Sequence, residues 1–282
     1  MAGIVYIFVL LLADAAKCGH TVSVINMRKI GLVLSGGGAR GAAHLGVLQY
    51  LNEVGIPVSA VAGVSAGAVI AVMYAAGKTP AAILQLLKDQ SYLGLKGLSF
   101  STPGLFSMDG LSAILKKELP QRFDQLNIPV TVLATDIVAN TPVALSSGEI
   151  ATAVMASAAV PVIYRPVLID GRQLADGGIL NNLPASYLRD SCDIVIGSHV
   201  NKLDKHANIA AMPKMALIDR TFHMAIEAMV EREKLLCDVI VEPELYDFGM
   251  FQMKAADKMF DIGYNAARDK ADEFAALLRI VG

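Results

Sequence analysis

The apolar positions of this chain follow two alternating rhythms: short unbroken runs, and longer stretches where they return every three or four residues. Ile30, Leu32, Val33 and Leu34 form the first run, which ends in a glycine cluster. A helical pattern follows through Ala42, Leu45, Val47, Leu48 and Leu51 toward Gly55 and Pro57. A second, β-leaning run over residues 58–63 leads to a small-residue helix that begins at Ala66 and stops before Gly77, a natural residue just past a helix end. Thr79-Pro80 opens the next helix as N-cap and first-turn proline, with Ile83, Leu84, Leu86 and Leu87 turned inward.

From Tyr92 to Met108 the period dissolves among glycines, serines and Pro103. Asp109 then caps a short helix that stops at Pro120. Strands are expected over residues 129–135, ending at Asp136, and over 142–145; a helix over 149–159 is closed by Pro161. Asp170-Gly171 between two apolar runs signals a hairpin that delivers Asp176-Gly177-Gly178 into a loop. Residues 193–200 read as another buried strand. Residues 214–236 read as a long helix with Met215, Ile218, Phe222, Ile226 and Met229 on one apolar stripe. A strand near 239–241 and a helix after Lys254 complete the pattern. Strands alternating with helices predict a mostly parallel sheet with helices on both faces.

Composition narrows this picture. With 282 residues, 54% of them hydrophobic and only 18% charged, the chain can bury a sizeable core and is not a disordered polymer. A formal net charge of −2 leaves no electrostatic footprint for nucleic acid. Cys18, Cys192 and Cys237 are few and far apart, so neither a disulfide framework nor a paired-cysteine metal site is expected, and a reducing compartment is the default. The apolar run from Ile4 to Ala13 is too short to span a bilayer as a helix. It lacks a basic leader, Asp14 follows too soon for a secretory signal, and Lys17 precedes Cys18 where a lipoprotein would need a small residue. Residues 1–26 are therefore expected to be an extension or a surface-packed helix, and residues 27–282 one domain. A cytoplasmic location is expected, with peripheral membrane contact left open by the apolar extension.

Candidate chemistry gathers at the ends of the expected strands. Gly63-Val64-Ser65-Ala66-Gly67 is a G-x-S-x-G sequence at a strand-to-helix junction, the context that gives such a match weight. A sharp turn would hold Ser65 in a strained conformation with its hydroxyl at the tip, and Gly63 and Gly67 stand where a Cβ would collide. The helix starting there aims free N–H groups at Ser65, favouring negative charge. The blander account is a tight βα turn filled by small residues.

The cluster Ser35-Gly36-Gly37-Gly38-Ala39-Arg40-Gly41 satisfies G-x-G-x-x-G after a strand. Yet the next strand ends in Ala62-Gly63-Val64-Ser65, without the carboxylate a dinucleotide ribose needs. Ala42-Ala43 stand where a P-loop requires Lys-Ser/Thr. An oxyanion hole remains, with successive N–H groups of Gly37, Gly38 and Ala39 receiving a negative oxygen, beside the plainer reading of a packing turn. Arg40 would anchor this loop or meet an anionic head group.

A serine hydroxyl needs a base. Asp176 follows a strand, Gly177-Gly178 lets the backbone turn beside it, and desolvation would raise its pKa toward that of a useful base. Asp136 is a competing carboxylate, read as a strand-end hydrogen-bonder. Among His20, His44, His199, His206 and His223, His199 best suits a Ser65–Asp176–His199 triad.

Four blocks in order, Gly36-Gly37-Gly38-Ala39-Arg40-Gly41, Gly63-Val64-Ser65-Ala66-Gly67, Ala156-Ser157-Ala158-Ala159-Val160-Pro161 and Asp176-Gly177-Gly178, resemble the patatin-like phospholipase family, most closely its small bacterial members. Ala134-Thr135-Asp136 and Asn182-Leu183-Pro184 extend the resemblance across residues 27–267. It implies a three-layer α/β/α sandwich with a mostly parallel central sheet. It implies Ser65 as nucleophile and Asp176 as general base in a Ser–Asp dyad, with Gly36, Gly37, Gly38 and Ala39 forming the oxyanion hole. Arg40, Gly41, Gly63, Gly67, Gly177 and Gly178 would support them. The implied substrate is a lipid or other acyl ester, hydrolysed through an acyl-enzyme without metal or cofactor, and the stretch from Tyr92 to Met108 would line or cover the acyl pocket. A triad esterase and a non-catalytic protein that keeps the fold stay open as alternatives.

Overall fold

The computed structural model describes residues 28–89, 108–161 and 163–281. The N-terminal extension and, except for Met108, the aperiodic stretch from Tyr92 lie outside the described residues. The first apolar run forms strand β1 (Ile30–Leu34), followed after the glycine loop by helix α1 (Ala42–Glu53). The second forms β2 (Val58–Val64) and runs directly into α2 (Ala66–Ala75). Helix α3 (Pro80–Lys88) starts where its cap predicts, with Thr79 Oγ1 accepting from the Ala82 N–H at 3.2 Å. Next come α4 (Met108–Glu118), β3 (Val130–Asp136), β4 (Thr141–Leu145) and α5 (Ile150–Ser157). Asp170 and Gly171, both at positive φ (49° and 77°), turn the chain from β5 (Val167–Ile169) into β6 (Arg172–Asp176). After α6 (Ser186–Arg189) follow β7 (Ile194–Ser198), the long α7 (Lys214–Lys234) and β8 (Val239–Val241). Where one final helix was expected there are two, α8 (Ala256–Arg268) and α9 (Ala271–Val281). The break lets Phe274 pack on Tyr50, with ring centroids 5.8 Å apart.

The sheet runs in the order β5-β6-β3-β2-β1-β7-β8, with β4 paired to β3. Strands β3, β2, β1, β7 and β8 are parallel, whereas β4 and β6 run antiparallel to β3. Alternation along the strands divides their side chains between two helical layers. Ile30, Leu32 and Leu34 pack with Leu48, Ile70, Ile83 and Phe274 on one face. Val33, Ala62 and Val195 meet Leu188, Ile226 and Val230 of α6 and α7 on the other. The result is a three-layer α/β/α sandwich.

The apolar stripe read along α7 holds only in part. Ile226 is buried, but Ile218 is 59% exposed and Phe222 39% exposed, while Asp219 and His223 turn inward from the first half of the helix. Apolar residues cover two adjoining faces there, so spacing alone does not select the inner one. The polar pair is drawn in by Arg40 of the glycine loop.

One feature of the register governs the rest of the molecule. Residues 132–136 of β3 pair with β4 along one edge. On the opposite edge β2 pairs with residues 130–133, ending at Val64 opposite Leu133. From Ala134 onward β6 takes over that edge in the reverse direction, ending with Asp176 opposite Ala134. Strands β2 and β6 therefore run head to head, and the residues at their tips, Ser65 and Asp176, arrive at the same place.

Candidate active site

Ser65 leaves β2 with φ 52° and ψ −118°, a conformation that costs a non-glycine residue on the order of 1–3 kcal/mol and persists only where its surroundings enforce it. Two glycines make the bend possible. A Cβ at Gly63 would stand 2.6 Å from the Gly67 carbonyl oxygen, and one at Gly67 would stand 2.5 Å from the Ser35 carbonyl oxygen. The turn is pinned from below: the Ser65 N–H donates to Ser157 Oγ at 2.9 Å, and the Ser157 hydroxyl donates to the Leu133 carbonyl at 2.5 Å. Ser157 thus bridges the point where β2 abandons the edge of β3.

The turn just after α5 supports the second tip, because the Asp176 N–H donates to the Ala159 carbonyl at 3.0 Å. The Asp176 carboxylate is buried and accepts the Gly178 N–H at 2.8 Å. Gly177 lies against the Leu133 carbonyl, where a side chain would not fit. Burial pushes the Asp176 carboxyl up to about 6; hydrogen bonding from the Ser65 hydroxyl and the Gly178 N–H, and the proximity of His223, act in the opposite direction. No ion pair to Asp176 occurs among the described residues.

The glycine loop completes the site. Two residues beyond the Leu34–Gly63 pair of the β1–β2 ladder, Gly36 comes alongside Ser65, and a Cβ on it would lie 3.4 Å from that of the serine. Not all four expected donors are free. The Gly36 N–H donates to Asn182 Oδ1 at 3.1 Å, and the Ala39 N–H to the Met250 carbonyl at 2.8 Å. The donors left open among these four are the N–H groups of Gly37 and Gly38, with Gly38 at φ 58° packed against Met250. Arg40 does not reach toward the cavity as a free cation. It grips Asp219 through two contacts of 2.8 and 3.0 Å and so anchors the loop to α7. Although burial opposes it, His223 and Arg40 hold Asp219 below the ordinary carboxylate range. Gly41 allows the loop to touch α2, its notional Cβ only 3.0 Å from that of Ala66.

Asn182, Ser157 and His223 belong to the site but stood out little in the sequence. The amide oxygen of Asn182 must face the Gly36 N–H, which can only donate, and its buried Nδ2 finds no partner among the described residues. Its Oδ1 also lies 2.8 Å from where a Gly178 side chain would begin, so one carboxamide links the glycine loop to the Asp176 loop. His199 is elsewhere. Its Nδ1 is 2.9 Å from Glu242, which also pairs with Lys234, and it does not line the cavity over Ser65. The histidine that faces this cavity is His223, and the triad reading through His199 fails on placement. Asp136 behaves as a strand-end hydrogen-bonder, its carboxylate accepting the Val138 and Ala139 N–H groups at 2.9 Å each.

Ser65 and Asp176 open into a cavity of about 530 Å³ walled mainly by apolar side chains, among them Val69, Ile70, Leu111, Ile163 and Phe251. Such a space accepts a hydrocarbon chain far better than a charged ligand.

The sequence model of the patatin-like phospholipase family matches residues 32–189, more than half the chain, and the chain belongs to that family. An uncharacterized NTE family protein of Mycobacterium tuberculosis is 37% identical over 177 residues, covering 61% of this chain and 49% of that protein. The neuropathy target esterase sws of Drosophila melanogaster is 34% identical over 171 residues, covering 57% of this chain and 12% of its own length. The chain thus spans about half the length, or less, of these curated relatives. Human GIVD cytosolic phospholipase A2, solved with methyl gamma-linolenyl fluorophosphonate, shares the fold with a TM-score of 0.55 at 10% identity, over 96% of this chain and 62% of that one. VipD from Legionella pneumophila does so with a TM-score of 0.53 at 18% identity, over 87% and 67%.

Proposed function

We propose that the protein is a lipid acyl hydrolase working through a Ser65–Asp176 dyad. The observation that carries this reading is a buried carboxylate with no ion-pair partner among the described residues, facing the hydroxyl of a strained serine in an apolar cavity. A carboxyl titrating at about 6 is ionised at neutral pH yet far more basic than an ordinary aspartate.

In the first half-reaction Asp176 takes the Ser65 proton as Oγ attacks the ester carbonyl. The carbonyl oxygen gathers negative charge beside the free N–H groups of Gly37 and Gly38 and the start of α2. The tetrahedral species collapses, and the departing alcohol takes the proton from Asp176. In the second half-reaction Asp176 takes a proton from water, whose oxygen attacks the acyl-serine. Ser65 recovers the proton and the carboxylic acid leaves. The acyl chain lies in the cavity, and the alcohol half of the ester stays toward the opening. Because Arg40 is committed to Asp219, the loop offers no spare charge for an anionic head group.

The test is fatty-acid release from a panel of acyl esters of increasing chain length by wild type and Ser65→Ala. Turnover that rises with chain length and vanishes in Ser65→Ala supports the reading. Turnover that persists in Ser65→Ala refutes it.

A further inference from the structure

Eleven large apolar side chains are exposed among the described residues, and five of them, Ile209, Leu217, Ile218, Phe222 and Met224, fall between positions 209 and 224. Four lie on the first half of α7, where the exposed positions also include Ala225 and Thr221. A helix on a water-facing surface normally carries charge there, as the second half of α7 does with Glu231 and Arg232. Ile218 and Phe222 are at once part of this exposed face and part of the cavity wall above Ser65. The apolar surface therefore runs without interruption from the outside of α7 to the catalytic serine.

Lys214 and Arg220, on the same half of the helix, make no ion pair among the described residues. The acid of this half-helix, Asp219, is turned inward, paired with Arg40 and in contact with His223. An apolar arc with unpaired basic residues beside it is the composition of a helix that lies in the plane of a membrane interface. No helix among the described residues is long and apolar enough to cross a membrane.

We infer that the first half of α7 docks the protein on an anionic lipid bilayer, with Leu217, Ile218, Phe222 and Met224 entering the interface and Lys214 and Arg220 meeting the head groups. This deepens the hydrolase reading, because docking here sets the cavity mouth on the lipid surface and an acyl chain reaches Ser65 without crossing water.

Binding is measured by cosedimentation with vesicles of phosphatidylcholine, with and without phosphatidylglycerol, using the 282-residue Ser65→Ala chain so that docking is scored apart from turnover. Binding should require the anionic lipid and weaken with salt. In the same background Leu217→Ser/Met224→Ser should bind about tenfold to a hundredfold more weakly. Placed in the active protein, this pair should leave hydrolysis of a soluble short-chain ester unchanged, since neither residue lines the cavity. Lys214→Gln should cost about fivefold. The chain has no tryptophan, so Leu217→Trp supplies a single reporter whose emission should shift to the blue on vesicles. A tryptophan at Leu235, about 27 Å further along the axis, should not shift. Three results would overturn the inference: no vesicle binding by the parent protein, undiminished binding by the double variant, or a self-associated protein that the double variant turns into a monomer. Vesicle binding without ester turnover would leave docking in place and remove the hydrolase reading alone.

Discussion

Asp176 and Glu242 are both carboxylates at a strand end, and burial drives both toward the protonated form. They finish at opposite extremes. Glu242 is held down at about 2 because His199 and Lys234 lie 2.9 and 2.5 Å from it. Asp176 is pushed up to about 6 because its close partners, the Gly178 N–H and the Ser65 hydroxyl, are neutral. One carboxylate is locked in its charged state and its proton chemistry is finished. The other is desolvated with no ion pair among the described residues, which is what the base proposed for the Ser65 hydroxyl requires. A histidine beside an acid at a strand end is therefore no sign of a triad until the acid's remaining partners are known.

Substitutions sharpen this contrast, beginning with the largest effect. Asp176→Asn should lower ester turnover by about 10³-fold or more, since it removes the buried carboxylate proposed to take the Ser65 proton. Glu242→Gln and His199→Ala should leave the rate per folded molecule within a few-fold. Steady-state kinetics on a soluble ester separate the two groups, and equal losses would abolish the distinction.

Stability should respond with opposite signs. The folded Asp176 titrates near 6 against an ordinary 3.8, so its contribution is complete below 3.8 and is lost as pH rises through about 6, by up to about 3 kcal/mol. Asp176→Asn should therefore melt higher than wild type above about pH 6 and level with it in acid. The Glu242 cluster contributes above its ordinary 4.5 and loses that contribution as pH falls toward 2, so Glu242→Gln should melt lower at neutral pH. Thermal melts across a pH series measure both; a Glu242→Gln protein more stable than wild type at neutral pH would contradict the ion-pair account. In the same series the rate of wild type should climb through an apparent pKa of about 6.

Smaller effects should come from the supports. Asn182→Ala releases the Gly36 N–H and loosens the link between the two loops, for a loss of roughly 10- to 10²-fold in kcat, less than the 10²–10³ of a deleted oxyanion donor. Ser157→Ala leaves the Ser65 N–H and the Leu133 carbonyl unpartnered, at about 1–3 kcal/mol of stability read from denaturant melts.

Much of this molecule was legible in the sequence where the physics is local. The strained elbow announces itself in five consecutive residues, because the glycines that permit it must sit two positions either side of the serine. The Asp170-Gly171 turn and the Thr79-Pro80 helix start are local in the same sense. Non-local facts were not visible in the local pattern, and the pairing of Ser65 with Asp176 came only as what the family resemblance implies. That β2 and β6 share one edge of β3 depends on three strands at once, and only this sharing brings Asp176 to Ser65. The loss of the Ala39 N–H to Met250 and of the Gly36 N–H to Asn182 depends on partners 211 and 146 positions away, so four expected donors became two. On α7 apolar residues crowd two faces, and the inner one was chosen by Arg40 drawing in Asp219.

The most direct measurement is intact-mass analysis after exposure to a fluorophosphonate probe, in wild type and in Ser65→Ala, Asp176→Asn and His199→Ala proteins verified as folded. A single adduct on Ser65 should form quickly in wild type and His199→Ala, never in Ser65→Ala, and only slowly in Asp176→Asn. An adduct that forms at the wild-type rate without Asp176, or that disappears with His199, would contradict the dyad.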